Sequence, residues 1–191
     1  GFRSELVETI LGANAHITVY QLPSANEAGK LDRKIYDYQD MADRLRALPS
    51  VSRAAPLVKG QVMASFGGKN TGVQVFGLSQ EDLNTLPRIV APENFQGRIE
   101  DFDRGIAIGS GVAQLLNARL GDSIKLISPD GVKTAFGTSP RVKSYPITYI
   151  FTAGRYDIDK TRLYMPFSEA QAYFNMEAAA DEIEVMVTNP E

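Results

Sequence analysis

Near each end of this sequence a strand pattern, a helix pattern and a second strand pattern follow one another, and that repetition constrains the fold more than any motif. Residues 16–22 alternate, with Ile17 and Val19 against Thr18 and Tyr20, and Pro23 ends the strand. Tyr38, Met41, Leu45 and Leu48 recur at helical spacing, which gives residues 37–48 one apolar stripe stopped by Pro49. Residues 51–64 then read as a strand bent at Pro56 and Gly60. At the other end, residues 162–167 read as a strand. Ser168 and Gln171 form a capping-box signature that opens a helix with Ala170, Tyr173 and Phe174 inward. Residues 182–188 alternate Ile183, Val185 and Val187 against Glu184, Met186 and Thr188. Two such crossover units sharing a sheet predict an α+β fold with both termini in one lobe.

The middle of the chain has a different texture. Gly67-Gly68 and Asn70 mark a hairpin turn before an alternating stretch at Val73 to Gly77. Ser79 caps a short helix over residues 80–86, and residues 91–104 are irregular and turn-rich. Ile106 and Ile108 sit in a short strand. A helix over 111–120 follows, with Val112, Leu115, Leu116 and Leu120 inward and Gly121 as its left-handed C-cap. Residues 123–127 are a strand, and 145–152 another, with Tyr145, Ile147, Tyr149 and Phe151 on one face. Between these two strands runs a connection rich in Gly, Pro and Ser. Its centre, Thr134 to Arg141, has no packing pattern and one aromatic, Phe136. Long connections in compact domains are functional or disordered. Residues 5–11 read as a helical turn stopped by Gly12, and 24–34 as a loop. The expected lobes are therefore 1–65 with 159–191, and an inserted β-rich lobe at 66–158.

Chemistry is conspicuous by what the residues fail to supply. The 191 residues carry a net charge of -3, so no basic face is on offer for nucleic acid. There is no cysteine, hence no disulfide scaffold and no thiolate metal site. No apolar run reaches the ~18–20 residues that span a bilayer. The chain opens on Gly1 rather than methionine, which reads as a piece cut from a longer protein. His16, the one histidine, has no second histidine or cysteine with which to hold a metal and reads as a strand-end residue. Ser110 lies in Gly109-Ser110-Gly111, which is not a G-x-S-x-G elbow, and reads as a helix N-cap. A dinucleotide fingerprint would need glycine where Gln114 stands, and Gly68-Lys69 is followed by Asn70 rather than Ser or Thr. Asp157 and Asp159 begin like a calcium loop, but Arg162 replaces the required glycine. Glu100, Asp101 and Asp103 read as a solvated acidic loop. We therefore expect no catalytic residue, no metal and no cofactor, and a binding or mechanical role rather than an enzyme.

A series of short matches, in order, resembles the periplasmic domain of the lipoprotein-releasing ABC transporter permeases, the LolC/LolE family. They run from Gly1-Phe2, Glu5-Leu6, Ile10-Leu11-Gly12 and Ala15-His16-Ile17, through Ala55-Pro56, Gly60-Gln61 and Val75-Phe76-Gly77-Leu78, to Ile108-Gly109, Leu115 and Leu120-Gly121-Asp122. Pro166, Glu169-Ala170-Gln171-Ala172 and the final strand complete them. The matches span nearly the whole chain.

This resemblance implies a MacB-like fold: a split βαβ lobe formed by both ends of the chain and an inserted β-rich lobe. It implies an inner-membrane permease with four membrane helices, of which this is the periplasmic domain between the first and second. Implied partners are a separate LolD-like ATPase subunit, a second permease subunit in a homo- or heterodimer, an acylated lipoprotein substrate, and a LolA-like periplasmic carrier. In the LolC-like members a hook hairpin recruits that carrier through a T-P-x-G-x-x-P-like core. The corresponding hairpin here spans about 130–144. Its tip reads Thr134, Ala135, Phe136, Gly137, Thr138, Ser139, Pro140 and Arg141, with Ala135 where the family often has proline. Residues 166–174 are similar to the LolE-like members instead, so a single permease type acting as a homodimer is also implied. The competing expectation is a related MacB-like efflux or division-associated permease domain acting as a protein-interaction module.

Overall fold

The computed structural model describes residues 4–11, 14–21, 24–25, 31–32 and 34–188, with side chains at 17–20 and at 34–188 apart from 129–134 and 138. The expected helical-turn stop at Gly12 and strand end at Pro23 lie outside the described residues, as does the side chain of His16. The chain divides into two compact units, residues 1–58 with 175–191, and residues 59–174.

In the first unit, β1 (Ser4–Leu11) and β2 (Asn14–Gln21) form an antiparallel hairpin in which Val7 faces Thr18 and Thr9 faces His16. Residues 5–11 are thus a strand and not the expected helical turn. Their β-branched Val7, Thr9 and Ile10 suit a ladder, and only pairing with β2 reveals it. Within the expected loop at 24–34, Ser24–Ala25 (β3) and Leu31–Asp32 (β4) pair. Helix α1 (Tyr38–Arg46) leads to β5 (Val51–Phe66). The last strand, β12 (Glu182–Thr188), lies antiparallel to β2 on one side and to the first half of β5 on the other. β2 and β5 therefore run parallel, joined by α1, with β12 inserted between them: a split βαβ sheet. Its core is Val19, Ile35, Met41, Ala42, Ala54, Ile183 and Val185, with Tyr38 and Leu45 packed against it. Leu48, the fourth member of the helical stripe, is exposed because α1 has ended before it.

The second unit is built from the rest of β5, β6 (Lys69–Leu78), β8 (Ile106–Gly109), β9 (Ser123–Thr134), β10 (Gly137–Thr152) and β11 (Arg162–Pro166), with a short β7 (Asn94–Gly97) at the far end of β10. β11 runs parallel to β6 and antiparallel to β8, β8 runs parallel to β10, and β10 runs antiparallel to β9. β9 then pairs back onto β5 through Met63–Ser65, so the ring of pairings β5-β6-β11-β8-β10-β9 closes on itself. Closure removes the open edges that a sheet of this size otherwise presents. Buried Phe102, Ile106, Ile108, Leu116, Ile124, Leu126, Ile147, Phe151 and Leu163 belong to this unit.

Several local expectations shift. The second strand–helix–strand run does not stay in one unit: β11 and α6 (Phe167–Tyr173) belong with residues 59–174, while β12 joins the split sheet. The division falls at 58/59 and 174/175, where the sequence placed it at 65/66 and 158/159, because β11 is hydrogen-bonded between β6 and β8. Residues 80–86 form only α2 (Gln80–Leu83), with Ser79 accepting from the Asp82 N–H at 3.0 Å. The stretch 91–104 holds β7 and a 3-10 helix (Ile99–Arg104), after a single turn α3 (Pro87–Val90). Helix α4 (Ser110–Leu116) stops four residues before the expected end, with Asn117 at φ 52° and ψ 40° supplying the left-handed cap assigned to Gly121. Leu115 and Leu120 are accordingly exposed. α6 begins at Phe167, so Ser168 lies within it and makes no N-cap.

Candidate functional site

Gly109, Ser110, Asp157 and Asp159, weighed for chemistry in the sequence, make local contacts in the structure. Gly109, not Ser110, is the N-cap of α4, and the Ser110 hydroxyl accepts from Thr152 Oγ1 at 2.8 Å. A Cβ on Gly109 would sit 2.8 Å from the Asp159 carbonyl carbon, so this glycine serves the close approach of α4 to α5 (Tyr156–Asp159). The Asp159 carboxylate accepts the Ala153 N–H at 2.7 Å and the Gly154 N–H at 3.1 Å, which ties down the turn after β10. Asp157 pairs with Arg155. Among the described residues, no three His, Cys, Asp or Glu side chains gather as a metal site, and no helix is long and apolar enough to cross a membrane.

What remains distinctive is the β9–β10 hairpin. Read from residues alone, 134–141 is the centre of a long loop. In the structure the two strands pair almost to the turn: Gly137 faces Thr134, Thr138 faces Lys133 and Ser139 faces Val132. Ala135 and Phe136 form the turn itself. Gly137 has φ 119°, a backbone state that L side chains avoid, and so closes a turn that a β-branched residue could not. Phe136 is 101% exposed, and Ala135, Ser139 and Pro140 are exposed as well.

The register shifts between Ser139 and Arg141, since Arg141 faces Ser128. Pro129, Asp130 and Gly131 of β9 thus stand opposite Pro140 alone. Pro140 has no N–H to give to the ladder, which is why a bulge falls here. The bulge divides the hairpin into a tip, Val132–Ser139, and a base, Ser123–Ser128 with Arg141–Pro146.

The base is not free-standing. Arg141, Lys143 and Tyr145 alternate along β10 and so point to one face, where α6 lies. Lys143 Nζ and Tyr145 OH both donate to Glu169 Oε1, the latter at 3.0 Å. Arg141 donates to the Ala172 carbonyl at 3.4 Å, and its guanidinium stands 6.0 Å from the Tyr173 ring centroid. Tyr145 meets Tyr173 edge-on at 6.3 Å. The hydrogen bond from Lys143, with help from Tyr145, holds the Glu169 carboxyl below its ordinary value despite partial burial. Burial, the hydrogen bond to Glu169 and its negative charge push the Tyr145 phenol strongly up. Burial pushes Tyr173 up to about 12, against the lowering effect of Arg141.

Of the eight residues expected in the hook, then, Thr134 to Pro140 form the tip and the bulge, and Arg141 belongs to the base. Lys143 and Arg141 are both engaged by α6. Sequence reasoning missed Glu169 and Tyr173 as partners of the hairpin. Their spacing of four marks one helical face, but nothing in the sequence says which strand meets it.

The comparisons with known proteins bear on the whole chain. The MacB-like periplasmic core domain family matches residues 1–191. The lipoprotein-releasing system transmembrane protein LolC of Neisseria meningitidis serogroup B is 22% identical over 194 residues, covering 100% of this chain and 44% of the relative. LolE of Haemophilus influenzae is 26% identical over 175 residues, covering 91% of this chain and 40% of the relative. The chain therefore spans less than half the length of these relatives. Among solved structures, the extracellular domain of the noncanonic ABC-type transporter YknZ from Gram-positive bacteria superposes with a TM-score of 0.56 at 15% identity, covering 90% of this chain and 83% of that one. The periplasmic region of MacB from Actinobacillus actinomycetemcomitans gives 0.55 at 12% identity, covering 94% and 77%. These likenesses support the α+β fold. The chain belongs to the MacB-like periplasmic core domain family and, within it, is similar to LolC and LolE.

Proposed function

We propose that this chain is the periplasmic module of an inner-membrane permease that releases lipoproteins, and that its β9–β10 tip docks the soluble carrier receiving them. The relatives' names supply the lipoprotein-releasing system and its transmembrane character. The membrane helices, an ATPase subunit that hydrolyses ATP and a second permease subunit lie outside these 191 residues in this reading. The acylated lipoprotein passes from the permease to a LolA-like carrier held at Thr134–Pro140.

The observation that carries the docking role is Phe136. A phenyl side chain 101% exposed at a two-residue turn leaves its apolar surface in contact with water, which is unfavourable. Entry into an apolar pocket of a partner recovers about 1.5–3 kcal/mol, and aromatic anchors of this kind dominate interface energetics. The bulge at Pro140 and the clasp on α6 present that ring on a preformed support, which lowers the ordering cost of binding.

The test is capture of the purified carrier by the immobilised domain. Phe136→Ala is expected to weaken capture by about tenfold or more, on the scale of a hot-spot aromatic, with thermal stability unchanged. Normal capture by Phe136→Ala would remove the docking reading and favour a different partner for the tip, as in an efflux-type module.

A further inference from the structure

The hairpin base and α6 meet as two matched periodicities. On β10, Arg141, Lys143 and Tyr145 share a face because they are two residues apart. On α6, Glu169 and Tyr173 share a face because they are four apart. At the centre of this contact a single oxygen, Glu169 Oε1, accepts from both Lys143 Nζ and Tyr145 OH. Arg141 is the last residue so held. The next residue, Pro140, is the bulge, beyond which the described strand pairing joins β9 and β10 alone.

We infer that Glu169 is a positioning residue for carrier docking: by gripping Lys143 and Tyr145 together it fixes the direction in which the β9–β10 tip leaves the barrel. This rests on the docking reading of the tip. β9 of the base is already paired with β5 at residues 125–127, so the freedom left to the hairpin is a sway of β10 and the tip about that ladder. A side-chain clasp onto a helix on one face removes that freedom. The charge-assisted bond from Lys143 supplies strength. The phenol of Tyr145, 5% exposed, supplies rigidity, because its ring is already packed edge-on against Tyr173. Glu169 does not touch the carrier in this scheme. It acts through the angle at which Phe136 is offered.

The absence of native cysteine makes the test direct. Ser139→Cys on the hairpin and Ser168→Cys on exposed α6 surface accept a pair of nitroxide labels, and pulsed electron paramagnetic resonance reads their separation. Unlabelled proteins of matched thermal stability are used for carrier capture. The parent chain is expected to give one narrow distance distribution. Glu169→Gln, which keeps side-chain size but loses the ion pair, is expected to broaden it about twofold and weaken capture about three- to tenfold, the scale of one net hydrogen bond. Lys143→Met gives the same result from the other partner and stands in if Glu169→Gln folds poorly. Phe136→Ala is expected to weaken capture about tenfold or more while leaving the distribution narrow. Unchanged widths in both Glu169→Gln and Lys143→Met overturn the inference whatever capture does. Broadening without loss of capture overturns the positioning role and leaves a merely structural clasp. Normal capture by Phe136→Ala overturns the docking reading instead, while the distances still judge the clasp.

Discussion

Arg53 donates to the carboxylate of Glu184 across the β5–β12 ladder, with side-chain exposures of 7% and 20%. Arg53 faces Met186 and Glu184 faces Ala55, so the pair is a same-face diagonal. It lies on the sheet face opposite Ile183 and Val185, which pack into the α1 core. β12 enters the sheet from a distant part of the sequence, between two strands that the α1 crossover has already made parallel. A fixed charge pair at that insertion favours one register, because a slip of one residue would turn Glu184 to the apolar face.

Removing one partner leaves the other charge largely out of water. Glu184→Ala is expected to destabilise the split βαβ unit by about 3 kcal/mol, and the double change Arg53→Met with Glu184→Leu by clearly less, since an apolar pair avoids the orphaned charge. Urea unfolding followed by circular dichroism measures both. A double variant as unstable as the single one would show that the pair contributes through packing rather than charge.

The contact at Gly109 predicts a stronger and more local effect. A Cβ there would press on the backbone of Asp159, which the turn bonds from Ala153 and Gly154 hold in place. Gly109→Ala is expected to cost about 1–3 kcal/mol, the usual range for overpacking against atoms that cannot move aside. Ser110→Ala, which only removes the hydroxyl accepting from Thr152, is expected to cost about 1 kcal/mol or less. Thermal unfolding of the two proteins separates the close-packing role from any special role of the serine.

The parts of the fold that were legible in the sequence are those where one face of an element decides its environment. β12, α1 and residues 145–152 show their buried side chains at the period of the element, and Ile183, Met41 and Phe151 are buried as that period requires. Illegible were the features set by pairing at a distance. Residues 5–11 form a strand because β2 lies beside them. The barrel closes because Met63–Ser65 meets Leu126, a relation between residues more than sixty apart. The hairpin tip looked like a loop because its sequence carries no alternation and Ala135, Phe136, Ser139 and Pro140 are exposed, while its backbone still pairs. Glu169 could not be joined to Lys143 from sequence for the same reason.

The clasp itself should be limited at both ends of the pH scale. Glu169 has its carboxyl lowered from 4.5, chiefly by the hydrogen bond from Lys143. A lowered folded-state value means the charged form stabilises the fold, fully above pH 4.5 and decreasingly as pH falls through the lower folded value. Tyr173 is raised from 10.0 to about 12 by burial, so its stabilising effect is full below pH 10 and is lost as pH rises toward 12. The protection factors of the residue 141–145 amides, which compare their exchange with that of the unfolded chain at the same pH, are therefore expected to be highest between these limits and to fall as pH drops below 4.5. In an alkaline absorbance titration, Tyr145, Tyr149 and Tyr173 are expected to be missing from the first step of the eight tyrosines, since burial raises all three. A single step containing every phenol would contradict the packing of the hairpin base.

The bulge at Pro140 predicts that the tip melts on its own. Beyond it, the described strand pairing of Val132–Ser139 is between β9 and β10 alone, and its turn holds Gly137 at φ 119°. Gly137→Val places a β-branched residue in a backbone state that costs of order 1–3 kcal/mol. That cost exceeds what a short isolated ladder can hold, since two-stranded hairpins are marginal in water. The variant is expected to lose amide protection across residues 132–139 while residues 123–128 and 141–146 keep theirs, and to show an unchanged midpoint of thermal unfolding. Loss of protection running through Arg141 into the base would mean that tip and base form one cooperative piece, and that the bulge does not isolate them.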